Sequence, residues 1–239
     1  MGVQIEAGRA VGKAVDAIWP PRCLACDGAV DAPGLCGPCW RETRFVDAFS
    51  CGACGAPLPG GSGTCDACLA SPRPWERGRA ALAYEGVGRR LVLGLKHADR
   101  LDLAPHAAEW MARAAGDMLG PDALLVPVPL HWTRLARRRY NQSAVLARAL
   151  ARRTGAALCA DLLVRARRTA PLDGLGVAER ARTLAGAIRM NRRRAARMAG
   201  RRIVLVDDVM TSGATLAACC AALEGAAADV LVLARVARG

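Results

Sequence analysis

After residue 79 the chain alternates short apolar runs with longer segments of mixed polarity. RAALAYEG (79–86) reads as a strand and VGRRLVLGLKH (87–97) as a short helix. Residues 104–119 form an Ala-rich helical stretch, and ALLVPV (123–128) is an apolar run of strand length, ended by Pro127 and Pro129. Residues 133–153 predict one long basic helix with Gly155 as its C-cap, and a further strand falls within 156–164. RRIVLVDDV (201–209) is a buried strand running into acids. Residues 211–226 begin a helix after a Gly turn, and VLVLARVA (230–237) is the last strand. Strands alternating with helices predict a parallel sheet joined by right-handed crossovers, an α/β domain over residues 80–239.

The N-terminal part is patterned differently. Residues 1–22 read as an amphipathic segment stopped by Pro20 and Pro21; Glu6, Lys13 and Asp16 interrupt any apolar stretch a secretory signal would need. Residues 23–70 carry four C-x-x-C pairs: Cys23/Cys26, Cys36/Cys39, Cys51/Cys54 and Cys65/Cys68. Two thiolates flanking a tight turn point at one tetrahedral ion, and two such turns close a four-thiolate site, so the spacing predicts a double zinc ribbon with two structural zinc ions. Pairing in order, first with second and third with fourth, closes the shorter loops. Glycines just inside or after the pairs suit the left-handed turn of a zinc knuckle. SPRPWERGR (71–79) reads as a linker. Cys159, Cys219 and Cys220 stand outside the pattern and read as small buried apolar residues.

Composition sets limits on partners. Hydrophobic residues make up 53% of the 239, but aromatics only 4%, so the core is built from Ala, Val and Leu. No apolar run reaches the roughly 20 residues of a membrane helix. The missing signal and the zinc-type thiols together predict a cytoplasmic protein. The formal net charge is +13, and only Lys13 and Lys96 are lysines. Arginine forks bind oxyanions bidentately, which favours phosphorylated small molecules or nucleic acid as partners. Four thiolates on one Zn(II) carry −2, so two sites lower the formal +13 to +9. The cysteine module itself is acidic, which suits a structural or docking role. Residues 165–202 hold 12 Arg against Asp173 and Glu179; the cluster 189–202 reads as a solvated face or partner surface.

The sharpest motif is VLVDDVMTSGAT (204–215). A buried strand delivers Asp207 and Asp208 at its carboxyl end, where open α/β sheets bind ligands. Backbone N–H groups at the following helix start, with hydroxyls of Thr211, Ser212 and Thr215, make an anion cradle. A sugar phosphate fits, its hydroxyls on the acids and its 5′-phosphate in the loop.

This motif resembles the phosphoribosyl pyrophosphate (PRPP) signature of type I phosphoribosyltransferases. The whole order, from cysteine pairs through LKH, PVPLH, RRRYNQ and VLVDDVMTSGAT, resembles the ComF family over residues 18–239. The resemblance implies a type I phosphoribosyltransferase-like parallel sheet with helices on both faces, preceded by a small zinc-ribbon module. It implies that Asp207 and Asp208 are the catalytic pair, contacting the ribose hydroxyls, with Mg2+ bridging ribose and pyrophosphate. Val209, Met210, Thr211, Ser212, Gly213, Ala214 and Thr215 would hold the PRPP 5′-phosphate. Lys96, Arg138, Arg139, Asn141, Gln142 and Arg180 would contact pyrophosphate or the mobile loop 165–188, the family's hood. In that hood Thr169 and Arg180 match the family; Leu172 stands where Gln is usual and Thr183 where Asn is usual. Tyr140 and Arg139 stand in the family's aromatic and Gly positions, and His97 in its Tyr position. Thr211 replaces the Asp that purine-salvage transferases place near the base, so no general base is offered there.

Three functions remain open on these residues. One is a Mg-dependent phosphoribosyltransferase of unassigned acceptor, which the resemblance associates with natural competence and the handling of transforming DNA. Another is a catalytically inactive PRPP- or nucleotide-sensing protein that binds single-stranded DNA, with Trp132 and Tyr140 interleaving Arg134, Arg137, Arg138 and Arg139. The third is a zinc-dependent assembly factor whose transferase core is inactive; competence-machinery proteins are among the partners expected.

Overall fold

A computed structural model of the chain describes residues 20–46, 49–58, 61, 63–97, 100–167 and 177–236. Residues 1–19 of the amphipathic segment, and Thr169 and Leu172 of the hood, lie outside the described residues. The chain divides into two compact units, Met1–Thr43 and Arg44–Gly239, so the first and second cysteine clusters fall in different units.

In the first unit, helix α1 (Gly37–Glu42) starts at Cys36 and buries Cys39. In the second unit, α2 (Asp66–Ala70) starts at Cys65 and buries Cys68. The α/β elements then follow in order: β1 (Gly78–Ala83), α3 (Gly86–His97), α4 (Leu103–Ala115) and β2 (Ala123–Pro127). After these come α5 (Trp132–Arg138), α6 (Gln142–Thr154), β3 (Ala157–Leu158) and β4 (Leu163–Arg165). The chain closes with α7 (Val177–Leu184), β5 (Ile188–Met190), β6 (Arg202–Met210), α8 (Ala214–Ala222) and β7 (Ala228–Arg235). Five strands form one parallel sheet in the order β1-β7-β6-β2-β3; β4 and β5 form a separate antiparallel pair.

Three sequence expectations change. The single basic helix over 133–153 is two helices. Arg139 adopts a left-handed φ of 64° after α5, and Asn141 caps α6 by accepting from the Ser143 N–H at 3.1 Å. A cap residue that satisfies an orphan donor starts a new helix more readily than it continues an old one. The strand within 156–164 shrinks to two residues, and the chain then turns away into the β4–β5 pair. The linker 71–79 is ordered by specific contacts: Trp75 is buried, and Arg77 makes paired hydrogen bonds to Asp229 at 3.2 and 2.6 Å.

One face of the sheet carries Leu124, Val126, Ile203, Leu205, Val230 and Val232. They pack with Leu216 and Cys219 of α8 and with Cys51, Cys54, Cys68 and Trp75. The alternate strand positions are also buried, and α4 and α6 cover that side. The second cysteine cluster is thus part of the core of the α/β sheet. Its backbone lies against β1: a Cβ on Gly78 would stand 2.4 Å from the Ala53 carbonyl oxygen, so only glycine permits that approach.

Asp229 is fully buried, and its charge is balanced by Arg77, which it shares with Asp117 at the surface. Asp229→Ala leaves that guanidinium without its buried partner and is expected to cost about 3 kcal/mol of folding stability. The low end of the range applies because Arg77 keeps contact with water. Urea titration checks this, and a change below about 1 kcal/mol would show that Asp117 alone suffices.

Candidate functional site

Strand β6 sits between β2 and β7 in the sheet, and its apolar half, Ile203 to Val206, is buried. The strand ends in Asp207, Asp208, Val209 and Met210. Successive strand residues project to opposite faces, so the two carboxylates leave the sheet on different sides. Asp207 accepts a hydrogen bond from Ser143 Oγ at 2.7 Å and one from the Asp208 N–H at 2.9 Å. Asp208, 8% exposed, pairs with Lys96 Nζ at 3.3 Å. Lys96 therefore meets the acid pair directly, from the last turn of α3. Burial, and then the neighbouring Asp208 charge, push the Asp207 carboxyl up from 3.8 to about 7; the Ser143 hydroxyl opposes the rise.

The turn Thr211–Gly213 opens α8. Thr211 is exposed, Ser212 is buried, and Ser212 Oγ accepts from the Ala214 N–H at 3.4 Å. Gly213 has a φ of +83°, and a Cβ there would meet the Trp75 ring at 2.9 Å. Both the left-handed backbone and the close ring demand glycine. Ala214 and Thr215 begin the helix, where N–H groups lack partners within the helix and the dipole favours an anion. Three successive carbonyls of the turn are held from outside. Arg235 Nη1 donates to the oxygens of Met210 at 3.1 Å and Thr211 at 2.7 Å, and Arg73 Nη1 donates to Ser212 at 2.8 Å.

The 138–142 block packs beside the acids. Tyr140 Oη donates to the Leu95 carbonyl at 2.7 Å, next to Lys96, and Asn141 Nδ2 donates to the Val128 carbonyl at 2.9 Å. Arg138 Nη1 donates to Gln142 Oε1 at 3.4 Å; Gln142 is buried, with no acceptor for its Nε2 among the described residues. Arg139 is exposed. Arg180 lies on α7, and its side chain is outside the described set. His131 ends in a cap: its Nδ1 accepts from the Thr133 N–H at 3.3 Å.

The eight paired cysteines converge in the expected order, Cys23, Cys26, Cys36 and Cys39 in one cluster and Cys51, Cys54, Cys65 and Cys68 in the other. Within each cluster all four Sγ atoms lie within 4.8 Å of one another. Cys26–Cys36 and Cys54–Cys65 are each 3.7 Å apart, close to the roughly 3.8 Å edge of a tetrahedron with Zn–S of about 2.3 Å. The donor sets fit two structural zinc ions, and none of the cysteines is in a disulfide. The two knuckles repeat one design, in which the Cys36 and Cys65 N–H groups donate to Cys23 and Cys51 Sγ at 3.3 Å. The left-handed residue after the leading pair is Asp27 in the first knuckle and Gly55 in the second. Burial alone would raise Cys51, but the N–H groups of Cys65, Ala53 and Cys54 bring it down to about 7. Burial pushes Cys54 up to about 12 although the charge of the Arg235 guanidinium pulls the other way. Arg73 Nε donates to Cys68 Sγ at 3.2 Å.

Sequence reasoning missed Ser143, Arg73, Trp75 and Arg235. A tryptophan inside a Pro- and Arg-rich stretch was the available signal for Trp75; a lone arginine ending an apolar strand was the one for Arg235.

A parallel sheet whose middle strand ends in paired acids before a glycine turn, in a chain that also carries two four-cysteine clusters, defines a zinc-ribbon protein with a phosphoribosyltransferase-type domain. The chain matches the double zinc ribbon domain over residues 14–69 and the phosphoribosyl transferase domain over residues 141–238. It is 33% identical over 190 residues to DNA utilization protein YhgH of Escherichia coli (strain K12), covering 77% of this chain and 81% of that protein. The Salmonella typhimurium protein of the same name is 34% identical over the same span. Competence protein F of Haemophilus influenzae is 28% identical over 203 residues, covering 82% and 87%. The chain belongs to the ComF family. Among the described residues no helix is long and apolar enough to cross a membrane.

Proposed function

We propose that the chain binds PRPP in a Mg-dependent manner at the carboxyl end of β6, as a phosphoribosyltransferase-like protein serving DNA utilization in the cytoplasm. The observation that carries this reading is the juxtaposition of Asp207 and Asp208 with the turn 211–213 at the start of α8. The two carboxylates accept from the ribose 2′- and 3′-hydroxyls. The Thr211, Ser212 and Thr215 hydroxyls and the N–H groups of 213–215 receive the 5′-phosphate. Lys96, Arg138, Asn141 and Gln142 line the side on which pyrophosphate leaves. Mg2+, held by substrate phosphates and a carboxylate as is usual for this ion, would neutralise departing pyrophosphate. Lys96 already engages one Asp208 oxygen, so the metal comes with the ligand. The names of the YhgH and competence relatives support the link to DNA.

Calorimetry with PRPP, with and without Mg2+, tests the reading, and a parent chain that takes up neither would sink it. Asp207 gives it a pH signature. An ionised acceptor is needed, and burial holds this carboxyl at about 7, so affinity rises roughly tenfold from about pH 6 to about pH 8. Asp207→Asn removes that dependence while PRPP's own ionisation is unchanged. Folding carries the opposite sign. Between 3.8 and about 7 the folded chain keeps a proton that the unfolded chain has released, so this group weakens folding as pH rises through that window.

A second reading is favoured by Trp132, 70% exposed on α5 with Leu135 and Arg139 also exposed. A protruding ring among arginines suits stacking with single-stranded DNA. Trp132→Ala with Arg139→Glu should then lower affinity for an oligonucleotide at least about tenfold and flatten its salt dependence. Binding that ignores salt and both changes would remove this reading and leave the PRPP site untouched.

A further inference from the structure

We infer that the second four-cysteine site positions the phosphate-binding turn through Arg73 and Arg235, so that zinc there and a phosphosugar at the turn reinforce each other. This rests on the reading of residues 211–215 as the 5′-phosphate cradle. Arg73 has one end on a cluster sulfur and the other on the turn, and Arg235 holds the turn from beside the same cluster. Arg73 donates from Nε to Cys68 Sγ at 3.2 Å and from Nη1 to the Ser212 oxygen at 2.8 Å. Arg235 donates to the oxygens of Met210 and Thr211, and its positive charge acts on the Cys54 thiol. Between them they fix three consecutive carbonyls. With those carbonyls turned towards the arginines, the N–H groups that follow are left facing the ligand side.

Trp75 completes the support. Its Nε1 donates to the Ala53 oxygen between Cys51 and Cys54 at 2.6 Å, and the edge of its ring occupies the space a Gly213 side chain would take. Arg73 also lies over that ring, 5.8 Å from its centre. Zinc knuckle, ring and turn are therefore one packed stack within the second unit. A loaded four-thiolate site carries −2, and the two guanidinium groups answer that charge. Zinc loss removes both the fixed sulfur positions and the countercharge, which frees the arginines from the geometry that holds the turn. Arg73 and Arg235 act as positioning residues; neither needs to touch the sugar.

Reciprocity makes this measurable: whatever factor zinc contributes to ligand affinity, the ligand returns to zinc retention. The experiment follows zinc release from the full chain to a chromogenic chelator, with and without ribose 5-phosphate, which fills the turn without the metal affinity of pyrophosphate. A Cys26→Ser chain, lacking the first site, assigns the phases. The second-site phase should slow severalfold with ligand and the first-site phase should not. Arg73→Met should speed second-site release about 10- to 100-fold, the usual effect of removing an outer partner of a metal ligand. It should also weaken PRPP about tenfold in calorimetry and abolish the slowing by ribose 5-phosphate. If Arg73→Met folds poorly, Arg73→Lys keeps the charge but cannot span both partners, and it should lose the coupling with the fold intact. A parent that binds no PRPP would refute the site reading, while zinc release from Arg73→Met without ligand still judges the arginine link. Unchanged zinc release and unchanged affinity in a folded Arg73 variant would overturn the inference.

Discussion

A chain carrying Asp207→Ala and Asp208→Ala is expected to bind PRPP with Mg2+ at least about a hundredfold more weakly than its parent. Charge-assisted hydrogen bonds contribute about 1.5–3 kcal/mol each, and roughly 1.4 kcal/mol is a factor of ten. The effect on folding is not symmetrical between the two acids. Asp207 is an acid that burial holds near neutrality, so ionising it costs folding energy, and Asp207→Asn should leave the melting temperature at pH 8 unchanged or raised. Asp208 balances Lys96, and Asp208→Asn leaves a half-buried ammonium without its partner and should lower it. Calorimetry for affinity and scanning calorimetry for stability read the two separately. A double variant that binds like the parent would reduce the pair to a helix-start device, because acids near a helix N-terminus stabilise it without any ligand.

What the sequence made legible follows from range. Ile203 to Val206 is an uninterrupted apolar run, and a strand that runs from it into Asp207 and Asp208 before a glycine turn needs only neighbouring residues to be recognised. The cysteine pairs are equally local, and the clusters close in chain order. The break in the basic helix was harder, because a left-handed Arg139 competes with good helix formers on both sides, and only the Asn141 cap marks it. Ser143 looked like an ordinary helix residue until the fold set it against Asp207, 64 positions away. Arg73 and the Ser212 carbonyl are 139 positions apart, and no periodicity announces such a pair. Lys96 shows the same limit from the other side. The family resemblance singled it out, yet its partner in the structure is Asp208, which only tertiary structure supplies.

The two zinc sites should differ sharply in what they hold up. Both four-cysteine sets have the geometry for one ion each, so chain purified under reducing conditions should carry about two zinc ions. Cys26 belongs to the first compact unit and is exposed; Cys26→Ser should lose one zinc and shift the melting of the second unit little. Cys54 is buried in the same apolar cluster as Leu205, Val230 and Leu216, and a serine there removes a ligand and buries a hydroxyl. Structural zinc is worth on the order of 10 kcal/mol to the peptides it folds. If even about 4 kcal/mol of that reaches the transferase domain, the melting temperature falls by roughly 8–16 °C, since each kcal/mol is about 2–4 °C at this size. Zinc content and scanning calorimetry on the two variants decide it. Equal, small shifts would mean that the second cluster is an ornament on a self-sufficient sheet. A metal-free chain with four disulfides would overturn the zinc assignment altogether, against sulfur separations of 3.7 Å that exceed the bonded length of about 2.05 Å.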